Sequence, residues 1–286
     1  MPELLLLLGD AAKARNDNHV RLPAAFCAAG WQVRTADHDD IESRRGVLHL
    51  GEVPLTGFDL IWPLGFGRLA TWFDRMQMLC GLPERQFVVS PSALVWLHGK
   101  HRWHSLMPET HTSASAERLH ALVTSGGDWV LKPPAGSYGR DVRVIEGGAI
   151  SLQEVERHLQ AAGDGYLLAQ RYLPAVAEGE QRTLVAGGEI IATYTRMPGA
   201  GTTSNLANGG RAIAGSLSQP QQAMVTGLAG ELADLGAGFA AVDLVGESLM
   251  EVNVANPGGL GTLAELGVGD FAAAVVSAIL RWTGRR

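Results

Sequence analysis

Asp243, Glu251 and Asn253 are the residues whose types and spacing say most about chemistry. They lie in FAAVDLVGESLMEVNV, two apolar runs around Gly246-Glu247-Ser248 that read as a β-hairpin. A three-residue turn at 246–248 puts Val245 opposite Leu249 and Asp243 opposite Glu251, with Asn253 next along on the Glu251 face. Met250, Val252 and Val254 take the other face. Two facing carboxylates in an apolar hairpin repel unless a cation lies between them, and an unpaired buried charge is costly. Hard oxygens alone make up the donor set, which suits Mg²⁺ held together with phosphates, with Mn²⁺ as the alternative ion. A polar stripe facing solvent is the competing reading.

A second constellation is WVLKPPAGSYGRDVRVIEGG, Trp129 to Gly148. A short strand ends in Lys132, a small-residue loop carries Gly136 and Gly139, and a second alternating strand follows. One ammonium beside a run of backbone N–H groups can hold phosphates. This is not a P-loop, because no G-x-x-x-x-G-K-[ST] occurs and Gly99-Lys100 is followed by His101. Alone, the segment reads first as an ordinary hairpin loop; beside the carboxylate hairpin, the phosphate reading leads. A third stretch, RMPGAGTTSNLANGGR, is a long small-residue loop between Arg196 and Arg211, next to Arg182 on the preceding strand. Such loops are either disordered or functional lids, and guanidinium groups near a transferring phosphoryl group stabilise its charge.

Two further patterns lead nowhere. GFGRLA at 65–70 has dinucleotide-site spacing, but the next strand, QFVVS, ends in Ser-Pro without an acidic residue. His98, His101 and His104 recur every third residue, drift around a helix and have no cysteine or acidic neighbour, so they form no zinc motif.

These residues need a scaffold. The first ninety residues alternate strand and helix: LLLLL, HVRLPAAFCAAG, WQVRTA, FDLIW, RLATWFDRMQMLCG, QFVVS. That order implies parallel strands with helical crossovers. ALVWLHGKHRWHSL reads as one helix started at Ser92, after which MPET opens a new unit. From 129 onward, strands joined by glycine turns imply an antiparallel or mixed sheet, with helices opening at the Ser151/Glu154 capping box and at Ser218-Gln-Pro-Gln.

The 286 residues suffice for two or three packed units, and 46% apolar content excludes disorder. A net charge of −6, with no Lys/Arg run longer than two, argues against nucleic acid or an anionic membrane as partner. The LLLLL run is too short to span a bilayer and lacks the flanks of a signal peptide. Cys27 and Cys80, in apolar helical contexts, read as core thiols of a cytoplasmic protein. Thirty-six glycines, clustered without a period, suggest loops that approach or move over a ligand.

Taken in order, MPET, LKPPAGSYG, AQRYLPAVAEGEQRTLVAGGE, RMP, NLANGGR and FAAVDLVGESLMEVNV resemble the ATP-grasp ligases, and within them bacterial glutathione synthetases, from about Ser90 onward. The resemblance implies an α/β chain: a small Rossmann-like pre-ATP-grasp domain over 1–92, then an ATP-grasp domain over 93–286. Within the latter it implies a lid at about 105–172 and a C-terminal subdomain at about 173–286. It also implies that Lys100 and Lys132 contact ATP phosphates beneath a flap formed by Gly136, Ser137, Tyr138 and Gly139. Gln170, Arg171, Tyr172 and Leu173 would form the hinge reading adenine, and Glu180 would meet the ribose. Arg182 and Arg196 would lie near the γ-phosphate and the substrate carboxylate, and a loop from Asn205 to Arg211 would close over the substrate. The magnesium ligands would be Asp243, Glu251 and Asn253.

The implied activity is ATP- and Mg²⁺-dependent amide formation from small-molecule acid and amine substrates through an acyl phosphate, with γ-glutamylcysteine and glycine as the first pair. A homo-oligomer is compatible with the resemblance. Departures fall on the acceptor side: Thr203-Ser204 before Asn205, Asn256-Pro257-Gly258 after the hairpin, Tyr138 in the flap, and WPLGFGRLATWF in the N-terminal unit. The alternatives are a peptide or amino-acid ligase acting on another pair, such as a ribosomal-protein glutamate ligase, or a nucleotide-binding protein without turnover.

Overall fold

A computed structural model describes residues 1–9, 14, 16–134, 142–162, 165–199 and 209–284. The LLLLL run forms β1 (Glu3–Leu8), whose Leu4 to Leu7 are fully buried because both faces of the strand are covered. The chain crosses through α1 (Asn18–Ala28) to β2 (Gln32–Asp37), parallel to β1. A small antiparallel sheet of β3 (Ile41–Arg44), β4 (Val47–Leu50) and β5 (Val53–Pro54) intervenes before β6 (Leu60–Pro63) joins the other side of β1, again parallel. Two short helices follow, α2 (Leu69–Leu79) and α3 (Pro91–Trp96).

Three sequence expectations change here. QFVVS is not a continuous strand. It bridges β6 at Ile61–Phe87, then turns to the segment after residue 235 at Val89–Ala237, so neither ladder extends. The helix expected across residues 92–106 stops at Trp96. Gly99 takes a left-handed φ of +87° and bridges Val252, and a 3₁₀ segment covers His101–Leu106. Cys27 and Cys80 are exposed free thiols on α1 and beyond α2, not core residues.

The next unit is an antiparallel sheet with two helices on one face. Its elements are β7 (Thr110–Ser113), α4 (Ala116–Val123), β8 (Trp129–Lys132), β9 (Arg143–Ile145), α5 (Leu152–Ala161) and β10 (Leu167–Arg171), in strand order β7-β10-β8-β9. The two strands flanking the Lys132 loop do pair, Trp129 opposite Ile145. Leu119, Val123, Trp129, Leu131, Val155 and Leu167 bury a hydrophobic cluster separate from the rest of the molecule.

The last unit is a five-stranded antiparallel sheet. β11 (Glu180–Ala186) and β12 (Glu189–Met197) form a hairpin whose two turn residues, Gly187 and Gly188, both have positive φ, as a type I′ turn requires. Then come β13 (Arg211–Ala214), α6 (Gln219–Asp234), β14 (Phe239–Val245), β15 (Ser248–Asn253), α7 (Leu260–Glu265) and α8 (Ala272–Thr283), in strand order β13-β12-β11-β14-β15. This sheet shares one hydrophobic core with the N-terminal strands, where Trp62 and Phe239 meet edge to face at 5.7 Å. Among the described residues, no helix is long and apolar enough to cross a membrane.

Candidate functional site

Strand alternation gathers charge on one face of the five-stranded sheet. Arg182 pairs with Asp243 across β11–β14, Asp243 with Glu251 across β14–β15, and Glu180 with Arg196 across β11–β12. The β14–β15 turn is tighter than the three residues expected, because Val245 pairs directly with Ser248. A bulge after Leu244 and Leu249 then absorbs Met250, which returns Asp243 to Glu251.

Asp243 is almost fully buried. Its Oδ1 accepts from Arg182 Nε at 2.7 Å, and its Oδ2 accepts from Arg182 Nη2 at 2.6 Å and Arg196 Nη2 at 2.8 Å. Burial alone would raise this carboxyl's pKa; the two guanidinium groups overcome it and hold the pKa down at about 2. Arg196 also reaches Glu180 Oε2 at 2.9 Å. Glu251 accepts from Lys100 Nζ at 3.0 Å, and this ammonium likewise outweighs burial and keeps the carboxyl ionised.

Lys100 arrives from outside the sheet. Its neighbour Gly99 donates to the Val252 carbonyl at 2.8 Å and accepts from Val252 N at 3.2 Å, so the lysine is fastened beside Glu251. Lys132 comes from the four-stranded sheet, where its Nζ donates to Gln170 Oε1 at 2.7 Å. Burial, with Lys100 close by, lowers the Lys132 pKa to about 7. The carbonyl of Pro134 then meets Lys100 Nζ at 3.4 Å, which joins the two lysine segments.

At the expected hinge, side chains and backbone divide the work. Gln170 is buried and bridges Lys132 to Thr110 Oγ1, 2.8 Å from its Nε2. The Arg171 guanidinium lies 3.9 Å from the Trp129 ring centroid and donates to Glu109 Oε2 and to the Gly126 carbonyl. Arg171 N and Tyr172 N already donate to the Glu109 and Asp128 carbonyls. The Leu173 N–H has no partner among the described residues, so it is the hinge donor that could read a base.

Not every expected residue joins this face. Arg211 pairs with Met197, one place out of step with Arg196–Ala212, so alternation turns it to the opposite face, where it is exposed. Gly136, Ser137, Tyr138, Gly139 and Asn205 lie outside the described residues.

The structure also gives Asn253 and His98 surroundings that the sequence did not show, and brings in Asn16 and Asn18, which sequence reasoning passed over. Asn253 Oδ1 accepts from Ala255 N and Asn256 N at 3.2 and 3.4 Å and so shapes the loop after β15. The fully buried Asn18 donates to Asn256 Oδ1 at 2.7 Å and to the Pro257 carbonyl at 2.9 Å, and Asn16 reaches Asn256 as well. The Gly258 carbonyl in turn meets Arg182 Nη1 at 3.4 Å. His98 lies edge-on to Phe66 at 4.8 Å, and burial lowers its pKa to about 4, so it is neutral. The available signal was positional: Asn16 and Asn18 follow the C-terminal end of a parallel strand, where open α/β sheets place their ligands.

The donor chemistry fits a divalent cation held with phosphate oxygens. Asp243 and Glu251 face one another, Asn253 follows on the same face, and Lys100 and the arginines supply the charge that the carboxylates require. A sequence model of the prokaryotic glutathione synthetase ATP-grasp domain matches residues 99–267, the stretch containing every site residue from Lys100 to Asn253. The chain belongs to that family. Its members are ATP-dependent, ADP-forming carbon–nitrogen ligases, characteristically binding ATP and magnesium.

The glutathione synthetase of Parasynechococcus marenigrum strain WH8102 is 32% identical over 213 residues, 72% of this chain and 69% of the relative. That of Neisseria meningitidis serogroup A is 32% identical over 180 residues, 62% of this chain and 56% of the relative. The chain thus aligns with little more than half to about two thirds of these relatives' length. The crystal structure of the D-cycloserine synthetase DcsG superposes with a TM-score of 0.70 at 18% identity, covering 98% of this chain and 99% of that one. The RimK domain ATP-grasp protein of Sphaerobacter thermophilus gives 0.66 at 19% identity, over 97% and 99%. Both likenesses establish the ATP-grasp fold.

Proposed function

We propose that this chain joins the carboxylate of a small acid to an amine with conversion of ATP to ADP and phosphate, γ-glutamylcysteine and glycine being the first pair to consider. The observation that carries the reading is the convergence of Lys100, Lys132, Arg182 and Arg196 around Asp243 and Glu251, with a hinge N–H at Leu173 that has no partner among the described residues. In this reading the acid's carboxylate oxygen attacks the γ-phosphorus, ADP leaves, and the amine displaces phosphate from the acyl phosphate as the amide forms.

The protein supplies no nucleophile; it positions and neutralises. Leu173 N–H orients the base and Glu180 the ribose. Lys100 and Lys132 hold phosphate oxygens, while Arg182 and Arg196 meet the transferring group and the acid. Asp243, Glu251 and Asn253 would hold Mg²⁺, which when bound neutralises charge on the phosphate oxygens. Gly136 to Gly139 and Asn205 to Arg211 would close over the reactants. Residues 1–92 act as a Rossmann-like unit forming the acceptor side.

A different acid and amine is the second reading. The acceptor-side departures favour it: Thr203-Ser204 before Asn205, and Asn256-Pro257-Gly258 after the hairpin. Phosphate release from MgATP, across a panel of acids with and without amines, tests both. Release requiring γ-glutamylcysteine plus glycine, with glutathione found by mass, supports the first. Release with another pair moves the substrates, and none with any pair despite tight ATP binding overturns the ligase reading.

A further inference from the structure

Each carboxylate at this site already has a cation. Lys100 Nζ lies 3.0 Å from Glu251 Oε1, and both Asp243 oxygens accept from arginines. Lys100 is only 5% exposed, so little water competes for this ion pair. The charges on this face are balanced: Glu180, Asp243 and Glu251 are matched by Arg182, Arg196 and Lys100, with Lys132 alongside. A lone divalent cation approaching the face therefore finds no net negative charge.

We propose that Lys100 is a placeholder for the divalent cation: it occupies Glu251 in the unloaded protein and gives the carboxylate up only when nucleotide phosphates attract it. Metal entry is then conditional on nucleotide, and the protein loads the two together. The geometry allows the exchange. The Gly99–Val252 bridge fixes the backbone beside β15, while the four-carbon stem lets the ammonium swing. Its other contact, the Pro134 carbonyl at 3.4 Å, lies two residues beyond Lys132, toward the phosphate side of the site. The inference rests on the ligase reading given above, specifically on Glu251 as a metal ligand.

Mn²⁺ binding followed by electron paramagnetic resonance tests it without any turnover. The native protein should bind Mn²⁺ alone weakly and Mn²⁺ with the non-hydrolysable analogue AMPPNP tightly. Lys100→Met leaves Glu251 uncompensated and should bind Mn²⁺ alone at least about tenfold more tightly than the native protein. Lys100→Gln, which keeps a donor but removes the charge, should show the same gain, and Lys100→Arg should not. Circular dichroism identifies any variant that fails to fold; one that folds is enough. Unchanged Mn²⁺ affinity in Lys100→Met and Lys100→Gln overturns the placeholder, and tight Mn²⁺ binding by the native protein beside AMPPNP then leaves the ligase reading intact. No Mn²⁺ binding even with AMPPNP removes the metal assignment, and the placeholder with it.

Discussion

Lys132 donates to Gln170 Oε1 over 2.7 Å, across the β8–β10 pair, and Gln170 is itself held by Thr110. The lysine is thus presented by a rigid amide instead of an opposing charge. With its pKa lowered to about 7, it is largely neutral at pH 8, whereas in the unfolded chain it stays protonated to about 10.5. The unfolded state therefore holds the extra proton between about pH 7 and 10.5, and this group's contribution to stability rises with pH across that window. Binding an anion recharges it. We expect MgATP binding at pH 8 to take up protons, seen as a calorimetric enthalpy that changes between Tris and Hepes buffers. An identical enthalpy in the two buffers would count against the assignment.

Asp243 behaves in the opposite sense. Its folded pKa of about 2 lies below the ordinary 3.8, so its stabilisation is complete above about pH 4 and is lost as pH falls toward 2. Asp243→Asn strands two buried guanidinium groups and should cost about 3–5 kcal/mol at neutral pH. It should also flatten the acid limb of the stability profile. Urea melts between pH 2.5 and 7 report both, and a limb as steep as the native one refutes the assignment.

Arg171 points away from the lysines, toward Trp129 and Glu109. Arg171→Met should lower stability by about 1–2 kcal/mol, since stacking on an indole and a half-exposed ion pair are each modest. Affinity for a fluorescent ATP analogue should stay within about twofold, because in the proposed reading the base is held by the Leu173 N–H and not by the Arg171 side chain. Gln170→Ala should do the reverse and weaken nucleotide binding through Lys132. Similar nucleotide affinities for the two variants would show that the side chains do not divide in this way.

The Asn18–Asn256 contact is a long-range link of 238 residues. Asn18→Ala takes the donor from the Pro257 carbonyl and leaves Asn256 Oδ1 with only the longer bond from Asn16, at about 1–3 kcal/mol. A double-mutant cycle with Asn256→Ala should return a coupling of at least about 0.5 kcal/mol in thermal melts. Additivity would mean that the two amides do not support each other.

The Asp243–Glu251 pairing could be read from the sequence because strand alternation is local. The assumed turn length was wrong, yet the pairing was right, since the bulge at Met250 restores the parity that the tighter turn removes. What the same residues touch could not be read. Arg182 meets Asp243 only because β14 lies beside β11 in the sheet, with α6 between them in sequence. Lys100 meets Glu251 only because Gly99 leaves the expected helix to bridge Val252. QFVVS has strand composition, but its hydrogen bonds are shared between two partners. Cys27 and Cys80 sit in apolar helical sequence, yet the helix rotation that exposes them depends on what each helix packs against.

The two lysines are anchored in different hydrophobic cores. Lys100 is bridged through Gly99 to Val252 in the larger cluster, whereas Lys132 follows Leu131 in the separate cluster of the four-stranded sheet. In the proposed reading, a polyphosphate touching both ammonium groups would act as a rivet between the two clusters. Nucleotide should merge two calorimetric transitions into one, making the cooperativity of unfolding a direct gauge of how firmly the jaws are shut.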